Sequence, residues 1–297
     1  MKYRFYTCDV FTDTRFGGNP LAVLPSAEGL SSQQMQQIAR EFNYSESTFV
    51  LPSENGHTRN VRIFTPTQEV PFAGHPNIGT AFTLASIGEL GSIDDETNIV
   101  FEEKAGLVPI KIRKTDENIW CELKAPEALS IGQTIPLDLV ASALSLSPED
   151  IVISNHQPQV ASVGLPFIMV ELKNRTALEN VHTYLPAIEE IYEKGIMPDI
   201  HVYTLVQGEF DIRTRMFAPL DGVPEDPATG SANCALVAML SHYKPESEGE
   251  FSWHIAQGGE MKRPSVLDAR TEKQSGTVTG VWIAGNCEMV TEGYIEV

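Results

Sequence analysis

Residues 75–81 read HPNIGTA and residues 226–232 read DPATGSA: His75 or Asp226, then proline, two free positions, glycine, Thr80 or Ser231, and alanine. Ahead of the first copy stands Arg62-Ile63-Phe64-Thr65-Pro66, and ahead of the second Arg215-Met216-Phe217-Ala218-Pro219. The arginines are 153 residues apart (62 and 215) and the second motifs 151 (75 and 226), so the second half reads as two residues shorter between them. Two linked motifs in one order point to an internal duplication. The 297-residue length agrees, being about twice a common domain length.

Bulk composition narrows the function classes. With 42% hydrophobic and 21% charged residues the chain reads as a soluble globular protein able to bury a sizeable core. The opening MKYRFYTCDVFTDTRF lacks the apolar run of a signal peptide, and no segment approaches 18 uninterrupted apolar residues. A cytoplasmic protein with no membrane partner is expected. The net charge of −19 argues against a nucleic-acid or anionic-membrane surface, since both would be repelled. Cys8, Cys121, Cys234 and Cys287 lie far apart with no C-x-x-C, and the seven histidines form no H-x-x-x-H. Reduced thiols and no metal site are expected.

Local patterns give the elements. A strand near Lys2 to Phe11 runs into the turn Phe16-Gly17-Gly18-Asn19-Pro20, and Leu21 to Leu24 resumes an extended stretch. Ser31 with Gln34 makes a capping box ahead of a helix whose apolar residues, Met35, Ile38, Ala39 and Phe42, fall at helical spacing. Thr80 to Leu90 and Ser231 to Leu240 read as helices apolar on nearly every side, hence buried on every side. Short alternating strands surround each: Val108 to Ile112 against Ile119 to Leu123 across a Thr115 to Asn118 turn, and Val202 to Val206 against Ile212 to Phe217. A linker is expected at Ala125 to Gln133, and two final strands at Val278 to Ile283 and Cys287 to Val297, separated by Gly285-Asn286. The fold class is α+β: two pseudo-symmetric domains, each a curved, mostly antiparallel sheet around a central buried helix. Their expected bounds are 1–127, completed by a C-terminal strand at 286–297, and 128–285.

A duplicated motif at the start of a buried helix offers two sets of unpaired N–H groups and two positive dipole ends. Gly79-Thr80 and Gly230-Ser231 could bind an anion, most simply the carboxylate of a small metabolite, in a cleft between the domains. The same residues could instead serve tight packing and capping alone. The lead residues, His75 and Asp226, differ where a symmetric scaffold need not, which suits a site that donates and accepts protons. Glu46 enters an apolar stretch, Phe49-Val50-Leu51, where a carboxylate needs a partner or a raised pKa. Alone, that pattern fits a solvated loop glutamate better.

A wider series of residues resembles the PhzF-like phenazine biosynthesis isomerase family: Asp9-Val10-Phe11, Gly18-Asn19-Pro20-Leu21-Ala22-Val23, Ser45-Glu46-Ser47-Thr48-Phe49, Arg62 to Pro66, Glu69, Gly74-His75-Pro76 and Gly79-Thr80-Ala81. Arg215 to Pro219, Glu225 to Asn233, Gln257-Gly258 and Arg263-Pro264-Ser265 continue it. The resemblance implies a diaminopimelate-epimerase-like fold and a cofactor-independent isomerase or epimerase working as a homodimer. It implies that Glu46 shuttles a proton while Asn19, Gly74, His75, Asp226, Gly230 and Ser231 bind or polarise the substrate. Epimerases of this fold that use a cysteine pair have thiols where this chain has Gly74-His75 and Asp226. Two other readings stay open: a hydrolase built from Ser231, His75 and Asp226, although G-x-S-x-G is missing, and a non-catalytic protein that binds a metabolite.

Overall fold

A computed structural model describes residues 1–93, 95–115 and 118–297. The chain divides into two units, Met1–Lys124 with Ala284–Val297, and Ala125–Ile283. The first contains β1 (Lys2–Val10), β2 (Asn19–Leu24), α1 (Ser32–Phe42), β3 (Glu46–Leu51), β4 (Arg59–Phe64), β5 (Glu69–Val70), α2 (Gly74–Ser86), β6 (Glu96–Glu103), β7 (Gly106–Lys114) and β8 (Ile119–Lys124). The second contains β9 (Ser130–Thr134), α3 (Leu137–Ala143), β10 (Gln159–Ser162), β11 (Pro166–Glu171), α4 (Arg175–Glu179), α5 (Leu185–Glu193), β12 (Ile200–Leu205), β13 (Ile212–Ala218), β14 (Val223–Asp226), α6 (Gly230–Tyr243), β15 (Gly249–Gln257) and β16 (Ser265–Gln274). Finally, β17 (Thr277–Glu296) starts in the second unit and ends in the first, where it pairs antiparallel with β1 from Lys2↔Glu296 to Val10↔Cys287. Among the described residues no helix is long and apolar enough to cross a membrane.

Each unit repeats one pairing scheme. β2 runs parallel to β3 as β11 does to β12; β3 and β4 are antiparallel, as are β12 and β13; and β4 runs parallel to β6 as β13 does to β15. In the first unit Ser31 and Gln34 form the reciprocal capping box, and Met35, Ile38 and Ala39 of α1 pack with Leu24, Phe49 and Phe64. Each of these buried side chains larger than alanine contributes about 1.5–3 kcal/mol. In the second unit α3, α4 and α5 supply Val140, Leu144, Leu178, Ile188 and Ile191 to a core with Ile168, Val170, Val202 and Phe217. α2 is buried from Gly74 to Ala85 and packs against β1, β2, β3, β7 and β8. α6 is buried along most of its length against β10, β11 and β16.

The repeat is real, but its register is not the one read from HPNIGTA and DPATGSA. Arg62 grips Glu69 through Nε and Nη2 at 2.7 and 2.8 Å, and Arg215 grips Glu225 in the same way at 2.8 and 2.9 Å. From each glutamate the chain continues to a glycine that opens the buried helix, Gly74 or Gly230, and then to an asparagine whose Nδ2 donates to the carbonyl ahead of the helix. Those bonds, Asn77 to Ala73 and Asn233 to Thr229, are both 3.0 Å. The structural repeat is therefore E-x-P-x-x-G-x-x-N, at residues 69–77 and 225–233. His75 corresponds to Ser231, and Asp226 to Val70. The second half is longer between arginine and glutamate, not shorter, because it holds the short helical turn Pro219–Asp221.

Three further expectations change. α2 begins at Gly74 rather than Thr80, because Ala73 is the last extended residue and Pro76 suits a first helical turn. The linker shortens to residues 125–129, since Ser130–Thr134 forms β9 and pairs with β10. Gly285-Asn286 does not break the last strand: the Asn286 carbonyl accepts the Phe11 and Thr12 N–H groups, and β17 runs through. The expected turn after β7 is closed by Thr115 N–H to the Asn118 carbonyl at 2.9 Å, while its central positions, 116 and 117, lie outside the described residues.

Two buried charges support the ends of elements. Lys273, 4% exposed, donates through Nζ to the carbonyls of Ser241, His242 and Lys244, satisfying the C-terminal turn of α6. Lys273→Met keeps the aliphatic stem but removes those three charge-assisted hydrogen bonds. A loss on the order of 2–3 kcal/mol in urea unfolding is expected, and a change under about 0.5 kcal/mol, the size of an ordinary surface substitution, would refute the capping role. Glu102 accepts from the Ser53 hydroxyl and from the N–H groups of Glu54, Asn55 and His57. Burial works to raise its pKa, but those four hydrogen bonds outweigh it and carry the pKa down to about 2. The folded-state pKa is below the unfolded one, so this contribution is present above about pH 4.5 and is lost as pH falls towards 2. Glu102→Gln should be less stable than wild type at pH 7, with the gap closing as the pH is lowered to 2; a gap independent of pH would sink the assignment.

Candidate functional site

In the first unit three elements converge on one polar cluster. Asn19 opens β2, Glu46 opens β3, and the two strands are parallel neighbours with Leu21 opposite Glu46. His75 is the second residue of α2. The tight loop before β2 depends on Gly18, at φ +57, where a Cβ would lie 2.3 Å from the Val10 carbonyl oxygen. The Ser45 hydroxyl donates to Asn19 Oδ1 at 3.1 Å, which directs the Asn19 amide nitrogen to His75 Nδ1 at 3.4 Å. Nδ1 is then the acceptor, and the network assigns the ring proton to Nε2. His75 Nε2 lies 3.5 Å from Glu46 Oε2, with the two side chains 6% and 19% exposed.

Burial pushes the His75 pKa down to about 3. Its place at the positive end of a helix acts in the same direction. The ring is therefore neutral at physiological pH, and it turns an N–H rather than a cation towards Glu46, at a geometry that forms no hydrogen bond between them. No side chain caps α2, and Pro76 has no N–H, so the N–H groups of Gly74 and His75 are the open donors of the first turn. The arrangement offers one carboxylate, one neutral imidazole N–H and two backbone donors. These are the parts of a site that takes a proton from carbon and steadies the charge left behind.

Gly79 and Thr80 do not stand at that N-terminus, where the sequence reading places them. Both lie inside α2. A Cβ on Gly79 would meet Leu21 Cδ2 at 2.6 Å and Val10 Cγ2 at 2.7 Å, so this glycine lets the helix touch the sheet. Thr80 is fully buried, with its hydroxyl 2.8 Å from that of Thr48.

The second unit holds its own polar cluster. Asp226 ends β14, and its carboxylate accepts the Thr229 hydroxyl. Gly230 and Ser231 are the first two residues of α6, which no side chain caps. Gln257 ties the segment together: its Oε1 accepts from Thr229 N–H at 3.1 Å and Asn233 Nδ2 at 2.8 Å, while its Nε2 donates to the Asp226 carbonyl at 2.9 Å. Asn233 Oδ1 lies 3.3 Å from Nε2 of His201, a fully buried ring whose pKa burial lowers to about 3. The supporting roles of Asn77, Asn233 and His201 escaped the sequence reading. The pattern E-x-P-x-x-G-x-x-N carries the asparagines, and aligning the halves on Glu69 and Glu225 would have found them.

All four cysteines are buried and free, and burial drives their thiols up, Cys8 and Cys234 to about 12. None is poised as a thiolate. Among the described residues no group of three or more His, Cys, Asp or Glu side chains is arranged to hold a metal ion.

Comparison with known proteins shows the family. Residues 8–293 match the family model PhzC-PhzF, described as phenazine biosynthesis-like protein. An uncharacterized isomerase of Mesorhizobium japonicum is 36% identical over 295 residues, covering 96% of each chain. The trans-2,3-dihydro-3-hydroxyanthranilate isomerase of Pseudomonas aeruginosa is 35% identical over 293 residues, covering 98% of each. The crystal structure of a Bacillus anthracis phenazine biosynthesis protein of the PhzF family superposes with a TM-score of 0.91 over the whole of both chains at 24% identity. The chain belongs to the phenazine biosynthesis-like PhzC-PhzF family and is an isomerase of the PhzF type.

Proposed function

We propose that the chain is a cofactor-independent isomerase that moves a proton on a small carboxylate-bearing metabolite, with Glu46 as the acid/base. The observation that carries this reading is the Glu46 carboxylate standing 3.5 Å from a buried, neutral His75 whose tautomer is set by Asn19. Glu46 removes a proton from a carbon made acidic by a neighbouring carboxylate or unsaturated system. The His75 Nε2–H and the open N–H groups of Gly74 and His75 stabilise the charge that develops, and Glu46 returns the proton elsewhere on the same face. Asp226, Gly230 and Ser231 hold the polar groups of the substrate. That both sets of residues act on one substrate is part of the proposal; it rests on the repeat and on the family.

The Pseudomonas aeruginosa relative is named for a dihydro-hydroxyanthranilate, a cyclic unsaturated carboxylate, and this is the substrate class we assign. The proposal extends to a cytoplasmic homodimer in which each half curves its sheet around its buried helix. Four free buried thiols support a reducing compartment. The hydrolase reading fares worse, since a catalytic triad needs Nδ1–H of the histidine to donate to a carboxylate, whereas His75 Nδ1 accepts from Asn19.

Glu46→Gln keeps size and reach but removes the basic oxygen. With trans-2,3-dihydro-3-hydroxyanthranilate, or another cyclic unsaturated carboxylate that wild type turns over, the variant should bind normally by calorimetry and lose about 10²–10⁴-fold in turnover. Normal binding with turnover within about threefold of wild type would remove Glu46 as the base, since a base is worth far more. His75 needs no substrate to test. By ¹⁵N NMR of the histidine rings, its signals should report a neutral ring protonated on Nε2 from pH 8 down to pH 5; titration near 6.5 would contradict the burial argument.

A further inference from the structure

Glu103 is a buried carboxyl that the proposed mechanism leaves unused, and the pseudo-symmetry gives it a counterpart. In the second unit Thr214 of β13 stands opposite Gln257 of β15. In the first, the β4–β6 ladder ends with Asn60 opposite Glu102, and continuing its register by one residue brings Val61, the equivalent of Thr214, level with Glu103. Glu103 therefore occupies the strand position of Gln257. Gln257 contributes an acceptor to Thr229 N–H and Asn233 Nδ2, and a donor to the Asp226 carbonyl, so it holds the backbone that leads into α6.

The chemistry at Glu103 lacks one proton if it is drawn as a carboxylate. Both its oxygens, and Oδ1 of Asn77, are buried without a hydrogen bond of good geometry. Three buried acceptors with no donor among them are costly. A proton on Glu103 turns one acceptor into a donor and gives the acid the donor-plus-acceptor pattern of a glutamine amide. We propose that Glu103 is a positioning residue, a carboxylic acid held neutral that does for the backbone leading into α2 what Gln257 does for that leading into α6, and so fixes Gly74 and His75.

The surroundings agree. Burial pushes the Glu103 pKa up to about 8, with the Asn77 side chain opposing the shift. The charged groups on the neighbouring segments are engaged elsewhere. Glu102, next on the same strand, turns to the Ser53–His57 loop; Arg62 and Lys104 both bind Glu69; Arg59 binds Glu89. The facing start of β7, residues 106–109, carries no charge. On α2 the titratable group is His75, which is neutral. Only the description of Gly74 and His75 as site residues depends on the proposed function.

Three measurements, none needing a substrate, test the idea. With ¹³C-labelled glutamate carboxyls, the resonance missing from Glu103→Gln should titrate near pH 8 in wild type; titration in the ordinary range near 4–5 overturns the proposal. In urea unfolding, an acid whose folded pKa is raised makes wild type lose stability as pH rises from about 4.5 to 8. Glu103→Gln, which cannot ionise, should gain on wild type by roughly tenfold in the folding equilibrium per pH unit over that window; a constant difference overturns it. Finally, the His75 ring ¹⁵N signals should shift in Glu103→Ala and stay near wild type in Glu103→Gln. Signals unmoved in Glu103→Ala refute the positioning role. Because turnover is not read, these failures leave the Glu46 proposal to its own test.

Discussion

A helix apolar on every side can be stable only when it is enclosed, yet enclosure strands the N–H groups of its first turn, which have no partner within the helix. Both halves of this chain face that constraint, and both fix the backbone just ahead of the helix in the same way without satisfying those N–H groups. An asparagine on the fourth helical residue reaches back to the carbonyl before the helix, and an arginine–glutamate clamp sets where the extended chain stops. Neither helix receives a side-chain cap. Leaving backbone donors open at a helix end is a cost that a ligand anion can offset. The first turns of α2 and α6 are thus where the fold's least satisfied groups and its candidate chemistry coincide.

Much of the fold was legible because local rules acted without competition. The capping box of α1, the alternation in β7, and the all-round burial of α2 and α6 each follow from side-chain period and cap chemistry, whereas β12 and β13, read as alternating, are buried on both faces. The register of the repeat was not. HPNIGTA and DPATGSA match at three of seven letters and EVPFAGHPN and EDPATGSAN at four of nine, so letters alone do not record which residues bear the load. The clamp glutamates, the helix-opening glycines and the helix-anchoring asparagines align only when the second half is allowed its extra turn at Pro219–Asp221. The same slip placed Gly79 and Thr80 at a helix start, when they are interior residues selected for close packing.

The site was legible in unequal parts. His75 could be picked out as a polar residue leading a buried helix, whereas the local sequence around Glu46 favours a solvated loop carboxylate. Only its place beside the Asn19–His75 pair, created by the parallel pairing of β2 with β3, distinguishes it. Glu103 was invisible for a similar reason. It sits in an ordinary acidic stretch, Phe101-Glu102-Glu103-Lys104, and alternation along a strand gives Glu102 the donors of the Ser53–His57 loop and leaves the Glu103 carboxyl enclosed without them. Pattern alone does not say which of two adjacent glutamates lacks donors.

The path of β17 has a consequence for how the molecule is made. Its last residues, 287–296, are the strand partners of β1, near the beginning of the chain. Residues 125–283, the whole of the second unit, are synthesised between Lys124 and that final stretch. At roughly 5–20 residues per second, the translating ribosome takes on the order of ten to thirty seconds to cover them. Throughout that interval the unit made first is the unit left unfinished, with one face of β1 unpaired and able to recruit a foreign strand. Order of synthesis and order of completion are therefore reversed, and the nascent first half depends on whatever shields that edge until the end of the chain arrives.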